Sequence, residues 1–398
     1  MLFRYGSTPD GTLRKKAHIY TQDEHRIDPA LVDPDAVWVV KRLRRDGFHA
    51  YIVGGAVRDL LVGRTPNDFD VATDAHPPKI RRMFRSARII GRRFQIVHVY
   101  SGPEKFVEVT TFRSRSAADG SRDDDRADSG AHFGTMEEDA ERRDFTINAL
   151  YYCPIDRQVI DYVGGYQDVM QRRLRTLIPA EASFTEDPVR MIRAAKYASL
   201  MGIPVPPPLA GLIRRHRESI LSCSRERVTE EVFKILTSGA SADIFELGFR
   251  LKLFETIFPA LAQRFREERS RLAESALAAR LARLDAEARS GKFLERTAMF
   301  AVIFRDLLLE RKDLLEDHDP FFLIQQYLRT ISEPLFPSKK DLAEAAHSVL
   351  PEARTRHLHA ARGGKGHGAA ETGGEGRTRG RRRRRGGRGR GRAPRTPA

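Results

Sequence analysis

The sequence contains little cysteine and no long apolar run. Its 398 residues include two cysteines, Cys153 and Cys223, too few for a disulfide framework or a cysteine-based zinc site. No apolar run is long enough to span a bilayer. The N-terminus also lacks an apolar segment followed by small residues, which a secretory signal requires. These absences predict a cytoplasmic protein without membrane association.

Acidic residues are outnumbered by basic ones. The chain has 54 Asp and Glu against 70 Lys and Arg, a formal net charge of +16. This excess favours a polyanionic partner, either nucleic acid or an anionic membrane surface. Residues 363–398 alone carry a net +10, which leaves +6 for the other 362 residues. With almost no apolar side chains, this segment is predicted to be disordered and to contact RNA or DNA phosphates, the alternative being a solubilising tail.

The remaining chain divides by its hydrophobic patterns. Short alternating runs and helical patterns mix from Pro34 to about Ile178, and only helical patterns follow, to about residue 350. Within the first part, residues 114–135 predict a mobile loop, and Thr135 with Glu138 predicts a capping box that opens a helix reaching Tyr152. We predict five regions: a flexible arm (1–35), an α/β head (36–178), a helical neck (179–240), a helical body (241–350) and a disordered Arg-rich tail (351–398).

Two aspartates in "TPNDFDVATDA", residues 65–75, suggest a metal site. On a strand Asp68 and Asp70 would point the same way, whereas Phe69 and Val71 would point into a core. Two adjacent carboxylates suit Mg²⁺, which completes its coordination with water and phosphate oxygens. Glu108 on a neighbouring predicted strand is a candidate third ligand. The alternative for Asp68 and Asp70 is a turn with solvated acids, and the alternative for Glu108 is an exposed glutamate on a strand.

The segment "VGGAVRDLLVG", residues 53–63, suggests a phosphate site. Gly54 and Gly55 stand between a predicted strand and a predicted helix, where a missing Cβ lets the backbone approach a ligand closely. Arg58 lies one turn into that helix, whose free N–H groups attract anions. The alternative is an ordinary tight turn.

Two further segments place arginines beside carboxylates. In "RRDFTINALYY", Arg142, Arg143 and Asp144 precede an apolar run and are candidates for binding phosphate or ribose. In "FTEDPVRMIRAAKYASLMG", Arg190 and Arg193 share one helix face. An arginine beside a carboxylate offers a base edge both donors and acceptors. Surface charges on capped helices are the alternative for both segments.

Together these segments resemble the class II nucleotidyltransferases, which comprise bacterial poly(A) polymerases and CCA-adding tRNA nucleotidyltransferases. The motifs "GGAVRDLL…DFDVATDA", "RRDFTINALYY", "DYVGG" and "EDPVRMIRA" occur in the family's order over roughly residues 35–260. The resemblance implies an α+β, polymerase-β-like head followed by an all-α neck and body, with Mg²⁺ as cofactor and ATP as substrate.

The resemblance also implies site residues. It makes Asp68, Asp70 and Asp144 catalytic, with the first two as metal ligands, to which the strand position adds Glu108 as a candidate. The expected nucleotide-binding residues are Gly54, Gly55, Arg58, Arg142, Arg143, Asn148, Glu186, Asp187, Arg190 and Arg193.

The shared motifs do not separate poly(A) addition from CCA addition, but three features favour the former. The segments "IIGRRFQIVHV" (89–99) and "RERVTEEVFKILTSG" resemble the poly(A) enzymes, as does the Arg-rich tail. We predict a monomer that extends RNA 3′ ends and associates with the RNA-degradation machinery. CCA addition to tRNA is the alternative. A phosphohydrolase site at His318 and a non-enzymatic RNA-binding protein are less well supported.

Overall fold

The computed structural model of the chain describes residues 2–7, 13–91, 95–103, 105–114, 133–292 and 295–350. The Arg-rich tail, most of the predicted loop at 114–135 and residues 92–94 of "IIGRRFQIVHV" lie outside the described residues. Strands and helices mix up to residue 170, and only helices follow among the described residues, as predicted. None of the helices in this part of the chain has the length and apolar character needed to cross a membrane.

The head is built on one mixed sheet. Its strands among the described residues are β1 (Leu2–Ser7), β2 (Leu13–Tyr20), β3 (Ala50–Val53), β4 (Asp70–Thr73), β5 (Ala87–Ile90), β6 (Ile96–Tyr100), β7 (Phe106–Thr111), β8 (Leu150–Cys153) and β9 (Gln158–Asp161). They lie in the order β1-β2-β9-β8-β3-β4-β7-β6-β5. Only β4 and β7 pair in parallel among these strands, and this pairing brings Asp70 into register with Glu108.

The prediction of a flexible arm over residues 1–35 is wrong, because this range contains strands β1 and β2, which both pair in the sheet. Strand β2 pairs with β9 in antiparallel register, from His18 opposite Asp161 to Tyr20 opposite Val159. The Tyr20 ring also stacks on Tyr166, with the ring centroids 3.7 Å apart. The pairing partner of β2 lies about 140 residues away along the chain, so the local sequence pattern does not indicate this strand.

The head contains six α-helices among the described residues. They are α1 (Gln22–His25), α2 (Pro34–Arg45), α3 (Gly55–Leu61), α4 (Pro77–Met83), α5 (Met136–Glu141) and α6 (Gly165–Met170). The capping box at Thr135 and Glu138 is present at the start of α5. The predicted continuation of that helix to Tyr152 is wrong, however, because Leu150–Cys153 form the fully buried strand β8 between β3 and β9. Pairing on both edges of the strand overrides its local helical pattern.

The two faces of the sheet pack into different cores. In β4, Val71 lies in the core that includes Val39, Val40 and Leu43 of α2. Ala72 lies in a second core on the opposite face, with Tyr51 and Tyr151. Because strand side chains alternate between faces, Asp70 shares the face of Ala72 and points away from α2.

Helices make up the rest of the described chain. They are α7 (Ala180–Glu186), α8 (Val189–Met201), α9 (Pro207–His216), α10 (Arg225–Leu236), α11 (Ser241–Arg250), α12 (Leu253–Ile257), α13 (Pro259–Glu267), α14 (Ala276–Arg289), α15 (Arg296–Leu309), α16 (Lys312–Leu315), α17 (Pro320–Ile331) and α18 (Lys339–His347). The hydrophobic core under the sheet continues into these helices, and Met1–Leu350 group as one compact unit. The boundaries after residues 178, 240 and 350 therefore stay predictions.

Candidate active site

A polar cleft of about 530 Å³ lies where the head meets α8 and α10. The residues from the head come from α3, from the chain leading into β4 and from the turn after α5. Of the residues predicted from the sequence, Glu186 and Glu108 do not line it; those that do are Gly54, Gly55, Arg58, Asp68, Asp70, Arg142, Arg143, Asp144, Asn148, Asp187, Arg190 and Arg193. Segments far apart in sequence thus contribute to one cavity.

The carboxylates of Asp68 and Asp70 form the acidic part of the cleft. Asp70 opens β4, but Asp68 lies in the irregular chain before it, so the prediction that both belong to one strand is wrong. Burial, and then the charges of Asp68 and Glu108, raise the pKa of Asp70 to about 7. No described residue donates a hydrogen bond to either carboxylate or forms an ion pair with it. A pair of close, uncompensated carboxylates is a donor set that fits a divalent cation.

Glu108 lies on the strand beside Asp70, as predicted. It shares the face of Asp70 on β7, and its Oε2 lies 3.6 Å from His98 Nε2 on the neighbouring strand β6. Within the described ranges no group of three or more His, Cys, Asp or Glu side chains is placed to hold a metal ion. Glu108 acts on Asp70 through its charge, and its role as a third metal ligand stays a prediction.

Gly54 and Arg58 lie in the turn and the helix that follow β3. Gly54 has φ +73°, a conformation that residues with a Cβ rarely adopt, whereas a Cβ built on it would make only an ordinary contact of 3.6 Å with Arg143 Nη1. Arg58, on α3, is buried, and its Nη1 donates a hydrogen bond to Asn148 Oδ1 at 2.8 Å. Its guanidinium also lies 4.8 Å from the centroid of the Tyr197 ring on α8. Arg58 thus connects α3 to both the turn after α5 and the neck.

Asp139 orients the two adjacent arginines and was missed by sequence reasoning. Its carboxylate is buried and accepts hydrogen bonds from Arg142 Nη2 at 2.5 Å, Arg143 Nη2 at 2.9 Å and the Tyr151 hydroxyl at 2.7 Å. Burial opposes ionisation, but the arginine charges outweigh it and lower the pKa of Asp139 to about 2. The i, i+3 and i, i+4 spacing to the arginines was the signal available in the sequence.

Asp144 joins the head to the neck. Its Oδ1 accepts hydrogen bonds from the Phe145 N–H at 2.8 Å and from Asn148 Nδ2 at 3.2 Å. Its Oδ2 lies 3.0 Å from Arg193 Nε on α8, although it accepts no hydrogen bond from the described residues. Arg193 in turn donates to the Tyr197 hydroxyl through Nη2 at 2.9 Å. These contacts hold the turn after α5 against α8.

The segment around the start of α8 presents a carboxylate, Asp187, and a guanidinium, Arg190, to the cleft. Asp187 Oδ2 accepts a hydrogen bond from Arg227 Nη2 on α10 at 2.8 Å. Arg190 Nη1 donates to Glu186 Oε2 at 3.1 Å and to Ser183 Oγ at 3.0 Å. Glu186 thus supports Arg190 from outside the cleft. A planar base that enters the cleft would meet the carboxylate of Asp187 and the guanidinium of Arg190 together.

Helices α8 and α10 add charged residues that the sequence analysis did not identify. Lys196 on α8 and Glu231 on α10 form an ion pair at 2.9 Å, and both side chains are buried. Lys234 lines the cleft one turn further along α10, and its charge opposes the rise in the pKa of Asp70. Helical spacing alone does not indicate which face of α10 meets the head, so these residues could not be selected from the sequence.

Two family models match the chain. Residues 50–175 match the poly A polymerase head domain, and residues 204–265 match a probable RNA- and SrmB-binding site of polymerase A. Poly(A) polymerase I of Escherichia coli O6:H1 is 35% identical over 323 residues, which are 78% of this chain and 69% of that protein. Poly(A) polymerase I of Salmonella typhi is 38% identical over 73% of this chain, and the chain spans 64% of the length of that relative.

A second group of relatives matches over a shorter length. The CCA-adding enzyme of Bacillus subtilis is 36% identical over 223 residues, which are 56% of this chain and 55% of that protein. The solved structure of a tRNA-processing enzyme in an apo form covers 81% of this chain and 84% of its own, with 21% identity and a TM-score of 0.51. At this low identity the similarity informs about the fold alone. Together with the family matches, the structural similarity confirms the predicted fold class of a nucleotidyltransferase head followed by helices.

Proposed function

Because this chain belongs to the bacterial poly(A) polymerase family, we propose that it is a template-independent polynucleotide adenylyltransferase. It would add AMP from ATP to RNA 3′ ends: the 3′-oxygen bonds to the α-phosphorus, the bond to pyrophosphate breaks and the hydroxyl proton passes to solvent. The observation that carries the proposal is the cleft, where the carboxylates of Asp68 and Asp70 share one cavity with arginines from the head and neck and lysines from the neck.

Asp68 and Asp70 are the residues that would hold Mg²⁺. The fit rests on their donor chemistry: neither carboxylate accepts a hydrogen bond or forms an ion pair among the described residues, and burial, followed by the charges of Asp68 and Glu108, raises the pKa of Asp70. When bound, the ion supplies positive charge that stabilises the attacking and leaving oxygens of a phosphoryl transfer. Asp70, fixed at the start of a buried strand, keeps its carboxylate in place for this task.

The basic wall of the cleft would bind the triphosphate. Arg143 lies beside the backbone of Gly54, where the absence of a Cβ leaves space for phosphate oxygens. Asp139 fixes Arg142 and Arg143, so little side-chain entropy is lost when they bind a ligand. Lys234 contributes a further positive charge from the neck.

Asp144 would position the site and not take part in the chemistry directly. Its carboxylate accepts a hydrogen bond from Asn148 and pairs with Arg193, and these contacts hold the turn after α5 against α8. Arg58 serves the same end through Asn148 and the Tyr197 ring. The proposed nucleotide contacts of Arg58, Asn148 and Arg193 are therefore indirect: they set the distance between phosphate-binding and base-binding residues.

Asp187 and Arg190 would recognise the base. Adenine presents an exocyclic amino donor beside a ring-nitrogen acceptor, which match the carboxylate of Asp187 and the guanidinium of Arg190. Cytosine presents the same pair, so these residues admit both bases. What favours adenylate over CCA addition is the extent of the likeness, which for the poly(A) polymerases continues well beyond the segment shared with CCA-adding enzymes.

Supplying single nucleotides tests the proposal. Each NTP is given alone with Mg²⁺ to an unstructured RNA and to a tRNA that lacks its terminal CCA. Long products from ATP on the unstructured RNA are expected, and Asp70→Asn should abolish them, whereas Asp23→Asn, a surface control on the head, should not. Use of CTP, a stop after three nucleotides and dependence on the tRNA would establish CCA addition instead. The predicted monomeric state, cytoplasmic location and link to RNA degradation stay predictions.

A further inference from the structure

We propose that the head carries a second contact surface for single-stranded RNA, separate from the cleft. It is a shallow cavity of about 200 Å³ lined by Trp38, Lys41, Arg42, Arg45 and Met83, named here the Trp38 patch. This surface would hold a segment of RNA upstream of the 3′ end. The inference concerns binding alone and does not depend on which nucleotide the cleft transfers.

The outer face of α2 forms most of the patch. Trp38, Lys41, Arg42 and Arg45 follow at i, i+3, i+4 and i+7, so they line one face of the helix. The opposite face, with Val39, Val40 and Leu43, is buried in the core. Trp38 leaves 51% of its surface exposed and meets the ring of Phe84 edge to face, with centroids 5.2 Å apart. A large aromatic surface therefore remains open to stacking.

The patch is distinct from the active site because it lies on the other side of the sheet. Helix α2 packs on the face to which Val71 points, whereas Asp70 shares the face of Ala72. An RNA that has its 3′ end in the cleft would therefore reach the Trp38 patch only with nucleotides well upstream. No lining residue is shared between the two cavities.

The charge of the patch favours RNA over other partners. Among the described residues, Asp46 is the acid that approaches the patch cations, 3.6 Å from Arg42 Nε and 3.7 Å from Arg45 Nε. Helix α4, which packs on the same face of the sheet, adds exposed basic side chains at Lys79, Arg81 and Arg82. Cations that surround an open aromatic ring are the combination that binds single strands, through phosphates and base stacking. An anionic membrane would meet the cations but would not require a stacking ring.

The tryptophan itself provides the assay. Trp38 is the only tryptophan in the sequence, so fluorescence excited at the red edge of its absorption, where the ten tyrosines do not absorb, reports on this patch alone. The full chain is titrated without ATP with an unstructured 30-nucleotide RNA that ends in a 3′-deoxy residue, and anisotropy of labelled RNA measures total binding. We expect RNA to quench Trp38 and to protect it from acrylamide. Because no turnover occurs, failure of the proposed adenylyl transfer would leave this measurement readable.

Charge variants test the cations. In Lys41→Gln/Arg45→Gln the slope of log affinity, from the Trp38 signal, against log salt should fall by up to about 1.4, since each lost contact to single-stranded RNA is worth about 0.7. The matched control Arg172→Gln/Arg173→Gln also removes two exposed charges from the head and should leave the slope unchanged. Trp38→Ala and Trp38→Phe lack the fluorophore, so their affinity is read from the anisotropy of labelled RNA: Trp38→Ala should weaken binding about fivefold or more, and Trp38→Phe should retain most of it.

Three results would overturn the inference. Trp38 emission that stays constant while anisotropy reports saturation would place the RNA elsewhere. Equal slopes for the patch variant and the matched control would show that these cations touch no phosphate. Quenching by anionic lipid vesicles but not by RNA would assign the patch to a membrane surface.

Discussion

Replacing Asp139 by Asn should destabilise the fold and loosen the phosphate-binding wall. The carboxylate is 1% exposed and accepts hydrogen bonds from Arg142, Arg143 and the Tyr151 hydroxyl. Asparagine keeps the size of the side chain but leaves two partly buried guanidinium groups without their counter-charge. Removal of one partner from such a cluster costs more than the cluster contributes net, because the remaining charges stay desolvated.

The magnitude follows from the pKa of Asp139. A shift from 3.8 to about 2 corresponds to roughly 2–3 kcal/mol of preference for the ionised form in the folded state, at about 1.4 kcal/mol per pKa unit. Because the folded pKa is depressed, this stability is fully present above about pH 5 and is lost as the pH falls through the folded pKa. Asp139→Asn should therefore lower the free energy of unfolding by roughly 2–3 kcal/mol at pH 7, and by progressively less between about pH 4 and pH 2.

Urea unfolding at several pH values measures this difference. Asp156→Asn is the matched control, since Asp156 also pairs with an arginine, Arg44, but its side chain is 43% exposed. An exposed pair contributes about 0–1 kcal/mol. The KM for ATP should also rise in Asp139→Asn and not in the control. Equal stability of the two variants at pH 7, or a gap that persists unchanged at low pH, would refute the reasoning.

Two further predictions concern the acidic pair and the tail. Because the pKa of Asp70 is raised to about 7, its ionisation costs stability above about pH 4, so Asp70→Asn in a chelator should be roughly 2–4 kcal/mol more stable than the parent at pH 8. No gain in thermal or urea stability, or a gain as large at pH 4 as at pH 8, would contradict that origin. Deletion of residues 363–398 removes ten net positive charges and should weaken RNA binding and flatten its salt dependence. An unchanged slope, with the far-ultraviolet spectrum of the remaining chain preserved, would show that the tail does not contact RNA.

Local motifs in the sequence were sufficient to identify most of the cleft. Asp68, Asp70, Gly54 and Gly55 were recognisable because short-range spacing and backbone freedom act over a few residues. The helical spacing of Arg190 and Arg193 likewise placed both on one face, and both line the cleft. The order of an α+β head before helices followed from hydrophobic periodicity in the same way.

Only the tertiary structure decided which of these local pieces meet and what lies between them. Leu150–Cys153 form a strand, and Leu13–Tyr20 join the sheet, because their pairing partners lie far away in sequence. The spacing of Asp139 to Arg142 and Arg143 is present in the sequence, but the burial that makes its carboxylate their support is a property of the tertiary structure. The opposition of the Trp38 patch and Asp70 follows from which face of the sheet α2 covers. Hydrogen bonding and desolvation between residues far apart in sequence determine these strands and contacts, and local propensity does not predict them.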